Sequence, residues 1–185
     1  DLVGSYAQAY SLGIISDLIG VPESDRLELL RLSDDTISMY EPGPSEAQQA
    51  KANKAAGDFR RYLLDRIAER RKQPREDLLT ALIGATVDGE RLTDDQIVST
   101  AMVLLMAGHE AAVNASSNGV AALAAHPDQW RLVRSRAVAP RDAVEEVLRW
   151  DPPLQWFERF VLDDDVVIAG EPVPKGTRLA LMIGS

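Results

Sequence analysis

The stretch QIVSTAMVLLMAGHEAAVNASSNGVAALAA, residues 96–125, holds no proline and a single charged side chain, Glu110. As one helix it would be about 45 Å long. It is apolar on nearly every side, which predicts burial through the centre of a helical domain. Thr93-Asp94-Asp95-Gln96 marks its start: a capping box, with two acids at the positive end of the helix dipole. Midway lies Ala107-Gly108-His109-Glu110-Ala111. A glycine there costs about 1 kcal/mol relative to alanine. It also removes the side-chain wall, so that a flat ligand can approach the backbone, and it permits a local opening of the hydrogen-bond ladder. A carboxylate in apolar surroundings must be paired, hydrated or raised in pKa. A small-residue gap followed by a lone acid suits a water-filled groove beside a planar cofactor. A packing glycine, with an acid reaching a neighbouring helix, explains the same residues equally well. His109-Glu110 opens the zinc-protease pattern H-E-x-x-H, but its last position is Val113.

On the N-terminal side, helical spacing predicts helices over about Ser5–Ile19 and Ser24–Met39, the first ended by Gly20 and Pro22. Glu41-Pro42-Gly43-Pro44 breaks the pattern. Ser45-Glu46-Ala47-Gln48 has the form of a second capping box and opens a long helix to about Lys72, with Phe59, Leu63 and Ile67 on one face. Arg60, Arg61, Arg66, Arg70, Arg71 and Lys72 cluster on that helix and read as a solvated face. A short helix over about Arg75–Ala85 and a turn at Asp88-Gly89 precede the central one. On the C-terminal side, Pro127 and Pro140 open two short helices, ending near Arg136 and Trp150. Asp151-Pro152-Pro153 then stops the helical texture. Residues 156–162, 166–169 and 177–183 are β-like, with a turn at Val173-Pro174-Lys175-Gly176.

The composition bounds the class. Apolar residues make up 45% and charged residues 26%, ordinary values for a globular chain of one domain. The net charge of −9 argues against a general nucleic-acid binder, whose affinity rests on Lys and Arg neutralising phosphates. No uninterrupted apolar run reaches membrane-span length, so no membrane is expected as a partner, and a cytoplasmic location is the simplest expectation. There is no cysteine, and His109 and His126 are the only histidines, so no metal site of the chain's own is expected.

Two further groups carry chemistry. Glu146 and Arg149 stand three apart on one short helix, the spacing of a facing ion pair. Arg159 lies in the strand-like Phe157-Glu158-Arg159-Phe160, where its planar fork suits an anion or an exposed strand edge beside Glu158.

In order along nearly the whole chain, these segments resemble the bacterial soluble cytochromes P450. Ala107-Gly108-His109-Glu110-Ala111 is similar to the family's central-helix signature A-G-x-[D/E]-T. Glu146-Val147-Leu148-Arg149 matches its E-x-x-R helix, within a similar stretch from Arg141 to Pro153. Arg159 falls where the family often has an arginine on a haem propionate, and residues 167–177 look like its β hairpin.

The resemblance implies a mainly α fold: a cytochrome P450-like helical core over about residues 5–150 and a small β-rich region over about 154–185. It implies one domain, incomplete at both ends. It implies that Ala107, Gly108 and Ala111 lie over the haem face where oxygen binds, and that Glu110 helps deliver protons through water. It places Val103, Met106, Gln155 and Phe157 along a pocket for an apolar small-molecule substrate. Glu146 and Arg149 would brace the haem-side core, and the loop Glu41–Pro44 would lie over the entrance. Haem and a ferredoxin-type redox partner belong to the complete enzyme.

Two departures stand out. The family's threonine is Ala111 here, which removes the hydroxyl that holds the relay water. The thiolate that pushes electron density toward O–O cleavage has no source in a chain without cysteine. Two expectations therefore stand side by side. One is a portion of a haem monooxygenase, inactive as this chain alone. The other is a haem-free, truncated helical relative that buries its apolar surface by self-association.

Overall fold

A computed structural model describes residues 1–40 and 43–184. It is mainly α-helical, with seven α-helices and three small two-stranded antiparallel sheets among the described residues. The chain divides into two compact units, Asp1–Val113 and Asn114–Ser185.

The first unit contains α1 (Gln8–Ile19), α2 (Arg26–Ile37), α3 (Glu46–Lys72), α4 (Leu78–Gly84) and the first part of α5 (Asp94–Ala125). A π-helical turn, Val3–Ala7, leads into α1. The long helix α3 begins where the sequence places it. The Ser45 hydroxyl accepts from the Gln48 N–H, and the Gln48 side chain returns to the Ser45 N–H at 2.9 Å. Phe59, Leu63 and Ile67 of α3 are fully buried. They form one core with Ile15 and Ile19 of α1, Leu29 and Leu32 of α2, Leu79 of α4, and Ile97, Ala101 and Leu105 of α5. Each such large side chain stabilises by roughly 1.5–3 kcal/mol on burial.

The basic cluster on α3 is not uniformly solvated, because Arg70 is 1% exposed. Its guanidinium donates to the Asp77 carboxylate at 2.5 Å and to the Gly20 carbonyl at 2.7 Å. Asp77 also caps α4, accepting from the Thr80 N–H at 2.9 Å. That cap starts α4 at Leu78, later than the spacing alone suggests. Gly20 ends α1 in the left-handed region, at φ 92°, with the Asp77 carboxylate where a Cβ would stand. Arg60 and Arg71 pair with Asp95 and Asp94, which ties α3 to the capping turn of α5. The turn at Asp88-Gly89, both residues at positive φ, closes a small hairpin of β1 (Thr86–Val87) and β2 (Glu90–Arg91) that the sequence reading did not give as strands.

In the second unit, α6 (Pro127–Arg134) and α7 (Pro140–Trp150) each start with the proline that the sequence assigns to that role. Strands β3 (Trp156–Phe160) and β6 (Arg178–Met182) pair antiparallel, with Phe157 opposite Leu181 and Arg159 opposite Leu179. Strands β4 (Val166–Ile168) and β5 (Glu171–Val173) form a tight hairpin. At Gly119, near the end of α5, an added Cβ would lie 2.7 Å from Val147 of α7, so the glycine is what lets that side chain approach.

Burial of α5 is one-sided rather than all-round. Ile97, Val98, Ala101, Leu105, His109 and Val113 form its buried stripe, while Val103, Ala107, Glu110 and Ala111 are exposed. By length and composition α5 would be able to cross a membrane, yet the stripe over its first part packs into the core of the first unit.

Candidate functional site

At 3.6 residues per turn, Val103, Ala107, Glu110 and Ala111 fall on one side of α5. They are the exposed side of the helix in its first unit. Two alanines flank a carboxylate there, so that face is shallow and Glu110 is its charged side chain. Met106 lies at its edge, half-buried. Gly108 has a different relation to its surroundings. A Cβ built on it would meet Ile15 of α1 at 3.0 Å, so the glycine admits α1 against α5, although its backbone stays exposed. Ala111 has no hydroxyl to hold a water or to bond the preceding turn.

Behind this face, the Ser11 hydroxyl of α1 donates to the His109 carbonyl at 3.1 Å, in a buried position. The His109 imidazole fills a core position of the stripe, and its Nδ1 is buried without a hydrogen-bond partner. Burial pushes its pKa down, against the opposing charges of Asp34 and Glu110. Asp34 of α2, exposed on one side, is pushed up by partial desolvation on the other, with His109 pulling the other way.

The other expected residues belong to the second unit. Glu146 and Arg149 form a two-pronged pair, both bonds at 2.6 Å, on the exposed side of α7. The guanidinium holds the Glu146 carboxyl below its usual range. Arg149 also lies over the Trp150 ring at 5.9 Å. Arg159 shares a strand face with Phe157 and stacks on its ring at 4.0 Å. Its guanidinium donates to the Glu158 carbonyl at 2.7 Å, and Glu158 itself pairs with Arg178. The Gln155 side chain donates to the Pro152 carbonyl at 2.8 Å, and the Gln155 backbone carbonyl accepts from the Ile183 and Gly184 N–H groups. A groove of about 570 Å³ lies among α6, α7 and the end of α5, lined by Leu123, Leu132, Val133, Val147 and Trp150. None of Val103, Met106, Gln155 or Phe157 lines it.

The arrangement within α5 fits one face of a planar group: small side chains, one acid, and an open flank. The sequence has no cysteine, and no cluster of metal-binding side chains occurs among the described residues. Sequence reasoning missed Ser11, Asp34 and the burial of His109. The spacing of Leu105, His109 and Val113, four apart on an apolar stripe, was the signal that placed the imidazole in the core.

Comparison with known proteins points one way. A model of the cytochrome P450 family matches residues 26–135. A steroid C26-monooxygenase of Mycolicibacterium smegmatis is 33% identical, over 98% of this chain and 41% of its own length. A vitamin D(3) 25-hydroxylase of Pseudonocardia autotrophica is 35% identical, over 98% of this chain and 43% of its own. The crystal structure of CalO2 superposes on all of this chain with a TM-score of 0.90 and 32% identity, using 46% of its own chain. The chain thus spans less than half the length of these relatives.

Proposed function

The chain belongs to the cytochrome P450 family, and from that premise we propose that it is part of a monooxygenase that oxidises an apolar small molecule. The substrate class is carried over from relatives named for steroid and vitamin D oxidation. The observation that carries the reading is Glu110, the one carboxylate on the small-residue face of α5.

Haem would supply the oxygen activation when bound; Ala107, Gly108 and Ala111 would lie against one face of it, and the sequence has no cysteine to hold its iron. Ala107 and Ala111 give that face its flatness. In the first unit Val103 and Met106 would offer apolar contact to a substrate; in the second, Gln155 and Phe157 are proposed for the substrate and Arg159 for a haem propionate. Glu110 passes protons between its carboxylate and water beside the helix. Ala111 leaves that water without a hydroxyl partner on the helix, so a substrate hydroxyl or a second water takes its place. Glu146 and Arg149 brace their own helix and take no part in proton movement. A ferredoxin-type donor delivers electrons, in the cytoplasm.

The test is spectroscopic. The protein that contains these residues is purified, reduced under carbon monoxide, and titrated with steroids. A thiolate-type Soret band that shifts with steroid supports the reading. Absence of haem, or a band that no apolar compound moves, contradicts it.

A second reading rests on the outer face of α1. Tyr6, Tyr10, Ile14 and Leu18 recur at helical spacing, all exposed, with the two tyrosine rings stacked at 5.7 Å. On this reading the chain alone, haem-free, self-associates through that stripe. Light scattering separates the two, since a monomer would exclude self-association.

A further inference from the structure

We propose that His109 is a protonation-sensitive latch that joins α1 and α2 to the middle of α5. Three observations place it there. His109 is 7% exposed and sits in an otherwise apolar line, one turn after Leu105 and one turn before Val113, both buried. The turn it belongs to is gripped from α1 twice: Ser11 bonds its carbonyl, and Ile15 packs where Gly108 has no side chain. Its buried Nδ1 has no partner, so nothing in its surroundings is arranged to receive a second ring proton there.

A neutral imidazole behaves at this position as a flat, half-apolar spacer. A protonated one would put a cation into the stripe, where burying charge without a partner is costly. The charged groups that face it are few. Asp34 comes from α2 and Glu110 from α5 itself. From α1 comes only the Ser11 hydroxyl, already engaged with the backbone. The one charged residue of α1, Asp17, is held by Arg26. Asp34 and Glu110 are both exposed, so the imidazolium satisfies itself by moving outward toward them. That movement loosens the grip of α1 and α2 on residues 105–113, the turns that carry Glu110. Acid would thus free the helix that bears the candidate proton donor. The inference concerns the chain without any cofactor and stands apart from the monooxygenase reading.

The size of the effect follows from linkage. If the opened turn leaves His109 with an ordinary pKa near 6.5, opening becomes about tenfold more favourable between pH 7.5 and pH 5.5. The experiment uses the full 185-residue chain carrying His126→Gln, so that His109 is the only imidazole. Amide hydrogen exchange is followed by NMR across that pH range and corrected for intrinsic rates. The latch predicts about tenfold loss of protection confined to residues 105–113 and to the α1 turn around Ser11. It also predicts that Asp34→Asn moves the imidazole titration to lower pH, because that carboxylate favours the cation. His109→Phe abolishes the pH dependence of exchange. An unmoved midpoint in Asp34→Asn overturns the proposal, and so does an undiminished pH dependence in His109→Phe. The Asp34 variant alters an exposed side chain, so it decides the matter even where the phenylalanine variant folds poorly.

Discussion

The two units of this chain are held together in different ways. In Asp1–Val113, every helix contributes to a closed core, with Phe59, Leu63 and Ile67 fully buried beneath four other helices. In Asn114–Ser185, α6 and α7 have no buried residue, and Val144, Leu148, Trp150, Phe160 and Leu162 are exposed. Both units are amphipathic by pattern. The difference teaches that such a pattern states that a helix face needs cover, without naming what supplies it. It also places most of the stability in the first unit's core.

The largest effect is expected at Arg70. Removing one partner of a buried ion pair strands the other, here Asp77, and typically costs about 3–5 kcal/mol. Arg70→Ala should lower the unfolding free energy read from urea denaturation by that amount, and Arg70→Met, which keeps the packing, should lose less. Phe59→Ala belongs to the same range, about 3–5 kcal/mol, through the cavity it leaves. The matched change in the second unit, Phe160→Ala, should stay within about 0.5 kcal/mol, as exposed substitutions do. Equal losses at Phe59 and Phe160 would erase the contrast.

Next in size is the dependence on pH. His109 is favoured neutral in the fold, so the unfolded chain binds the extra proton first. Its contribution is complete above the ordinary histidine pKa, near 6.5, and is lost as pH falls through that value. Asp77 adds a second loss at lower pH. Burial works to raise its carboxyl, but the bonds from Arg70 and Thr80 outweigh it and hold the group low. That stability is present above the ordinary carboxylate range and disappears as pH falls below it. Urea midpoints measured between pH 3 and pH 8 should therefore decline in two steps. His109→Gln should remove the upper one. The smallest effect is expected from Glu146→Gln. Its pair with Arg149 is solvated on both sides, so the melting temperature should not move measurably.

Much of the fold was legible in the sequence because it depends on local chemistry. Ser45 with Gln48, and Thr93 with Gln96, are self-contained caps, and both form as the spacing implies. Phe59, Leu63 and Ile67 needed only helical periodicity. Glu146 and Arg149 needed only the three-residue step between them. What escaped depends on groups far apart in the chain. Arg70 reads as one more basic residue on a charged helix until Gly20 and Asp77 arrive from two other elements. Gly119 reads as a helix defect until Val147 is seen against it. His109 drew attention as a neighbour of Glu110, while its own part in the core lay in its spacing from Leu105 and Val113. The α5 face itself was legible in composition, though not in which side would remain open.

Glu110 is proposed as the proton-handling acid on the open face of α5. That role is tested most directly by steroid turnover in a complete, haem-loaded enzyme of the family carrying this segment, measured with and without Glu110→Gln. The expected loss in turnover is about 10²–10⁴-fold, the usual worth of a general acid–base group, with the thiolate-type Soret band and its substrate-induced shift intact. Unchanged turnover in a variant that still binds haem and steroid would contradict it.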